Sequence, residues 1–126
     1  MFKHPKSSDE ALKLFLKSIK YDFALLKLEK PIKREKYPLL VPNFREEQKL
    51  VTVCGYGNDY QVSHSNPLML EEEGGRYNID TEEGQSGAPV FFIEDIGAEE
   101  EVCHLVGVHK GYEKKANLNI CTLITD

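Results

Sequence analysis

The chain has 126 residues, of which 40% are hydrophobic and 29% charged, and its formal net charge is −5. This length holds one modest hydrophobic core, and the composition is typical of an ordinary globular domain, which excludes collagen-like and disordered classes. No apolar run approaches the roughly 18 residues that a membrane span requires. The lysine-rich stretch 27–36 also contains acids, which is typical of a solvated loop and not of a nucleic-acid surface. We therefore expect neither membranes nor nucleic acids among the partners.

Neither a targeting signal nor a metal motif is evident. The first ten residues are too polar for a secretion signal, so we expect the chain as written to remain in the cytoplasm, and to be secreted if the natural N-terminus lies upstream. The three cysteines, Cys54, Cys103 and Cys121, are an odd number and contain no Cys-x-x-Cys pair. We expect no metal and no cofactor. No pattern in the sequence indicates an oligomeric state.

The predicted elements are one short helix followed by strands. Ser7 and Glu10 form a capping-box pattern before apolar residues at helical spacing, which predicts a helix over residues 8–18. The rest of the chain alternates short apolar runs with Gly, Asn and Pro, and it predicts strands over residues 23–28, 50–54, 67–70, 76–79, 88–93, 102–108 and 118–124. Regularly spaced short strands of this kind indicate an all-β barrel or sandwich.

The most informative segment surrounds Ser86. Gly84 and Gly87 flank Gln85-Ser86 immediately before a strand that begins near Ala88. Glycine permits backbone conformations closed to other residues, and a tight turn of this kind can direct the backbone N–H groups of Gly84 and Ser86 at one point. Such a pair of donors is what an oxyanion hole requires. Ser86 is therefore a candidate nucleophile.

Three folds place a nucleophilic serine in such a turn. The α/β-hydrolase turn opens a helix and ends in glycine, whereas here Ala88-Pro89 and a strand follow. The subtilisin order of Asp, His and Ser is matched formally by Asp22, His64 and Ser86, but that serine also opens a helix, within a larger α/β domain. The chymotrypsin order of His, Asp and Ser, with the serine between barrel strands, suits the all-β pattern.

Five features carry a family resemblance. Gly84–Val90 resembles the Gly-Asp/Asn-Ser-Gly-Gly/Ser-Pro-Val/Leu signature of trypsin-like serine peptidases. Tyr21–Leu28 resembles their Asp-Ile-Ala-Leu-Leu segment around the triad aspartate, and His4-Pro5 resembles the His-Pro pair that often precedes it. Val51–Gly57 resembles the strand that ends in Gly-Trp/Tyr-Gly, and Leu105–Gly111 resembles the strand that lines the specificity pocket. The resemblance implies that residues 1–126 are a partial domain. It would hold the second barrel of a chymotrypsin-like double β-barrel and the last strands of the first barrel.

The resemblance also implies roles for individual residues. Ser86 would be the nucleophile and Asp22 the triad aspartate, with Gly84 and Ser86 supplying the oxyanion hole. The catalytic histidine of this family precedes the aspartate in a Thr-Ala-x-His segment, and no such segment is present. The resemblance therefore implies a serine endopeptidase acting on peptides or proteins, of which this chain is an incomplete and inactive portion. The alternative is a noncatalytic pseudopeptidase that binds peptides or proteins.

Within the family the closest similarity is to the glutamyl endopeptidase branch. Gln85 stands where trypsin has an aspartate that pairs with the new N-terminus, so activation of the trypsin type is not expected. In that branch a threonine and a histidine bind the substrate carboxylate, and Thr81 and His109 stand at the corresponding positions. The similarity implies a preference for Glu or Asp before the scissile bond.

Overall fold

The chain folds into a single curled antiparallel sheet with one added parallel strand. The computed structural model describes residues 10, 14, 21–57, 60–71, 74–78, 85–95, 97, 100–113 and 118–125. The eight strands are β1 (Leu39–Leu40), β2 (Leu50–Gly57), β3 (Tyr60–Pro67), β4 (Met69–Glu71), β5 (Gly74–Tyr77), β6 (Pro89–Asp95), β7 (Glu101–Glu113) and β8 (Leu118–Leu123). The prediction of an all-β fold is confirmed.

The order of the strands explains why the sheet curls. It runs β3-β2-β6-β7-β8-β5-β4, and β1 pairs in parallel with β7. The two ends of this order, β3 and β4, are consecutive in the chain and are separated by Leu68 alone. Leu68 is fully buried, its N–H donates to the carbonyl of Lys49 at 2.8 Å, and its carbonyl accepts from the N–H of Gln48 at 2.9 Å. The sheet must therefore bend round to form a half-barrel.

The concave face of the half-barrel holds the core. Successive side chains along a strand point to opposite faces, and β2 follows this rule with Val51 and Val53 buried and Leu50 exposed. Val90 of β6 and Val106 of β7 are also fully buried. Burying each such side chain stabilises the fold by about 1.5–3 kcal/mol. Other members of this core are Phe44, Leu68, Tyr77, Ala88, Cys121 and Leu123.

Not every predicted element corresponds to an observed one. The prediction of a strand over residues 23–28 is wrong, because that segment has no ladder partner among the described residues, and Leu25 is 93% exposed. The predicted helix over 8–18 lies largely outside the described residues, although Glu10 and Leu14 have helical backbone. In the described part of the chain, no helix combines the length and apolar character needed to cross a bilayer.

Candidate functional site

Ser86 is presented by a turn that two hydrogen bonds join to β7. The N–H of Gly87 donates to the carbonyl of His109 at 2.7 Å, and the N–H of His109 donates to the carbonyl of Ala88 at 2.8 Å. Inside the turn the N–H of Ala88 donates to the carbonyl of Gln85 at 3.0 Å. Gly87 has φ of +90°, a conformation that favours glycine. Because Gln85 is buried and Ser86 is exposed, the turn holds the serine hydroxyl at the surface on a fixed backbone.

Close contact with β2 supports the same turn from behind. A Cβ placed on Gly55 would lie 2.7 Å from the Cβ of Ala88. Only a residue without a side chain fits at that position, so the glycine in β2 lets the strand approach the base of the turn. The position of Ser86 thus depends on packing from β2 as well as on hydrogen bonds to β7.

The hydroxyl of Ser86 is directed at β7. Its Oγ donates to the carbonyl oxygen of Lys110 at 2.7 Å. Lys110 lies at a bulge, because the register of β7 on β8 passes from His109 opposite Cys121 to Gly111 opposite Ile120 and leaves Lys110 without an opposite residue. A bulged residue is left out of the regular ladder, and here the carbonyl of that residue receives the serine hydroxyl.

Asp22 contacts the same residue through its side chain. One carboxylate oxygen, Oδ2, forms an ion pair with Nζ of Lys110. The Asp22 side chain is 52% exposed and that of Lys110 only 21%. Lys110 therefore connects the two residues that the sequence singles out: its ammonium pairs with Asp22 and its carbonyl accepts from Ser86.

His109 is buried and bonded to a tyrosine. It is 2% exposed, and its Nδ1 lies 2.5 Å from the hydroxyl oxygen of Tyr77, which is also 2% exposed. Burial lowers the pKa of His109 from 6.5 to about 4, and burial, with a smaller contribution from Cys121, raises the pKa of Tyr77. At neutral pH both side chains are therefore uncharged, and His109 can offer a substrate a neutral ring but no positive charge.

The other described histidines lie on strands. His64 is an exposed residue of β3. His104 of β7 stacks on Phe92 with ring centroids 4.7 Å apart, and its Nε2 is 3.2 Å from a carboxylate oxygen of Glu94. Among the residues that the structure describes, the hydrogen-bond partner of the Ser86 hydroxyl is the Lys110 carbonyl and not an imidazole.

Two predicted site residues, Thr81 and Gly84, lie outside the described residues. The structure brings Asp22 and Ser86 together through Lys110, and it places His109 beneath the same turn. Sequence analysis missed Lys110 and Tyr77. Glycine after Lys110 is a signal for a bulge, and an inward-facing tyrosine on a strand is a signal for a buried hydroxyl that needs a partner.

The cysteines form no disulfide among the described residues. All three cysteines are free, with Cys121 buried and Cys54 and Cys103 half-buried. Among the described side chains, no three of the His, Cys, Asp or Glu type come together in a way that could ligate a metal ion.

The chain matches no protein-family model, no curated protein and no solved structure.

Proposed function

We propose that this chain is the later part of a trypsin-like serine endopeptidase domain, with Ser86 as nucleophile and Asp22 as triad carboxylate. The observation that carries the proposal is the meeting of both residues at Lys110, beside an exposed serine on a turn of fixed backbone. A curled antiparallel sheet and the tight turn before β6 agree with the motifs that resemble this family. The proposed reaction is cleavage of a peptide bond by acyl transfer to Ser86.

In this proposal the reaction needs a base that the described residues do not supply. In a serine triad a histidine takes the proton of the serine, and the aspartate holds that histidine in the correct tautomer. Here the Ser86 hydroxyl donates to a backbone carbonyl, and Nδ1 of His109 is occupied by Tyr77. Removing the histidine of such a triad lowers kcat by about a million-fold. We therefore expect turnover only when a histidine from a preceding segment of a longer protein completes the site.

His109 has a proposed part in substrate selection. If Tyr77 donates its proton to Nδ1, the neutral ring of His109 carries its own proton on Nε2. That N–H could donate to a Glu or Asp side chain of a substrate, in combination with the hydroxyl of Thr81. Because His109 is uncharged at neutral pH, the proposed preference for acidic residues would rest on hydrogen bonds and not on charge attraction.

A second candidate function is peptide binding without cleavage. It is favoured by the ion pair of Asp22 with Lys110, because an ammonium ion stands at the carboxylate that a triad would use for a histidine. A pseudopeptidase of this kind would hold peptides in the cleft beside Ser86. The two candidates share the fold and differ in whether a base reaches Ser86.

Chemical labelling of Ser86 distinguishes the endopeptidase from the noncatalytic peptide-binding protein. The chain as given and the longest natural protein that contains it are treated with a fluorophosphonate probe and with a Glu-containing fluorogenic peptide, each alongside Ser86→Ala. Ser63→Ala, which removes an exposed serine from β3, is the matched control. We expect labelling and turnover in the longer protein, lost in Ser86→Ala and retained in Ser63→Ala. Neither is expected in the chain alone, and turnover there above the Ser86→Ala level contradicts the need for an added histidine. Peptide binding without labelling in either protein favours the second candidate.

A further inference from the structure

We propose that Lys110 is a positioning residue that ties Asp22 to the β7 bulge and restrains the reactivity of Ser86. The attachment of Asp22 to the bulge, called the tie below, concerns the structure alone. The restraint on Ser86 rests on the function proposed above. Both follow from one residue having two contacts, the ion pair to Asp22 and the hydrogen bond from Ser86.

Lys110 makes its two contacts through different parts of the residue. Its Nζ pairs with Asp22, and its backbone carbonyl accepts from Ser86. The register shift between His109 and Gly111 leaves Lys110 without an opposite residue on β8, and a bulged residue is left out of the regular ladder. Gly111, the next residue, has φ of +154°, a conformation that favours glycine. Gly111 therefore allows the backbone geometry of the bulge.

The ion pair joins a half-buried lysine to a more exposed aspartate. The side chain of Lys110 is 21% exposed and that of Asp22 is 52% exposed. Asp22 supplies its negative charge from a segment far away in the sequence. A pair that remains partly in water contributes modest stabilisation, so its loss should loosen the Asp22 segment without unfolding the sheet.

The segment that bears Asp22 lies outside the sheet. Residues 22–28 belong to no strand among the described residues, and the side chains of Leu25 and Leu26 are 93% and 82% exposed. The N–H of Phe23 donates to the nearby carbonyl of Tyr21. The ion pair of Asp22 with Lys110 joins this apolar segment to β7, and its opening should loosen the segment.

The same pair affects the chemistry proposed for Ser86. A triad carboxylate assists catalysis by orienting a histidine and stabilising the imidazolium that forms. A lysine ammonium on that carboxylate cancels part of its negative charge, and a nearby positive charge disfavours a protonated imidazole. Lys110 therefore restrains Ser86 even in a protein that contains the histidine.

Backbone ¹⁵N relaxation tests the tie without any reference to activity. Lys110→Met removes the charge, keeps the length of the side chain and retains the backbone carbonyl that accepts from Ser86. We expect the NMR order parameters of amides 23–28 to fall to about 0.6 or below in this variant, with those of β2, β6 and β8 unchanged. Lys36→Met, which removes a more exposed lysine from its pair with Glu100, is the matched control and should leave amides 23–28 unaffected. The charge-swapped double variant Asp22→Lys with Lys110→Asp should restore the parent order parameters, and unchanged values in Lys110→Met overturn the tie.

Labelling tests the restraint in the longest natural protein that contains the chain. We expect Lys110→Met to increase the rate of fluorophosphonate labelling at Ser86 by at least about fivefold, while Lys36→Met has no effect. An unchanged or slower rate overturns the restraint and leaves the tie to the relaxation result. Complete absence of labelling in the parent protein overturns the proposed catalytic function and the restraint with it, whereas lower order parameters in Lys110→Met would still establish the tie.

Discussion

Acid should destabilise this fold through one buried histidine. His109 is 2% exposed and hydrogen-bonded to Tyr77, and burial lowers its pKa to about 4. In the unfolded chain the same imidazole titrates near its ordinary pKa of 6.5. Between pH 6.5 and 4 the unfolded state therefore binds more protons than the native state, and the free energy of unfolding rises with pH over that range. The stabilisation is fully present above pH 6.5 and is lost as the pH falls towards 4.

The size of the effect follows from the two pKa values. Each pKa unit of difference between the two states corresponds to about 1.4 kcal/mol. Allowing for partial protonation of the native state at its own pKa, the contribution of His109 to stability should fall by about 3 kcal/mol between pH 7.5 and pH 4. Because single domains are stable by only about 5–15 kcal/mol, this one residue would account for a large share of any acid unfolding.

Urea unfolding at several pH values between 7.5 and 4 measures this contribution when the parent is compared with His109→Gln. Glutamine does not titrate and can still accept the Tyr77 hydroxyl, so the variant should lose about 3 kcal/mol of the pH dependence. His64→Gln removes an exposed histidine and should retain the parent pH dependence. Tyr77→Phe should lower stability by about 1–3 kcal/mol at pH 7.5, because it leaves a buried ring nitrogen without its partner. Equal pH dependence in the parent and His109→Gln, or a His109 pKa between 6 and 7 by NMR titration, would refute the reasoning.

Two further predictions concern the neighbours of the Ser86 turn and the buried thiol. Gly55→Ala should lower the free energy of unfolding by about 1–3 kcal/mol, because the new Cβ would lie 2.7 Å from that of Ala88. Adding Ala88→Gly should recover part of the loss in the same denaturation assay, and no change in the first variant would contradict the close approach. Burial raises the pKa of Cys121 to about 12, against a smaller opposing effect of a backbone hydrogen bond with Gly75, so native protein should be alkylated at half-buried Cys54 long before Cys121. Peptide mapping by mass spectrometry reads both sites, and comparable rates at the two thiols would show that Cys121 is not buried as described.

The apolar pattern predicted most of the strands because most of them contribute a row of side chains to one core. The runs near β2, β6, β7 and β8 contain the buried residues Val53, Val90, Val106 and Cys121. Strand β3 was missed because it is an edge strand with exposed polar side chains such as Gln61, Ser63 and His64. Backbone pairing with β2 determines the position of β3. Such pairing does not require an alternation of apolar side chains that the sequence would show.

The prediction of a strand over residues 23–28 failed for the opposite reason. The residues of this segment are as apolar as those of a buried strand, and yet Leu25 and Leu26 are the most exposed large hydrophobic side chains among the described residues. A strand needs a neighbour for its N–H and C=O groups, and hydrophobicity alone does not provide one. Sequence reasoning could therefore recognise that the segment suits a sheet but could not determine whether a partner strand is present.

The candidate site shows which part of function local sequence can specify. The turn around Ser86 was predictable because Gly87 adopts a positive φ and the strand after the serine is apolar, and both are properties of consecutive residues. The connection to Asp22 was not predictable, because it joins two residues that are 88 positions apart in the chain. The contact of the Ser86 hydroxyl was not predictable either, because its acceptor is the carbonyl of Lys110, at a one-residue bulge in β7. A bulged residue is left out of the regular ladder. The surroundings of Ser86 therefore depend on the register of β7 against β8, which no motif around Asp22 or Ser86 encodes.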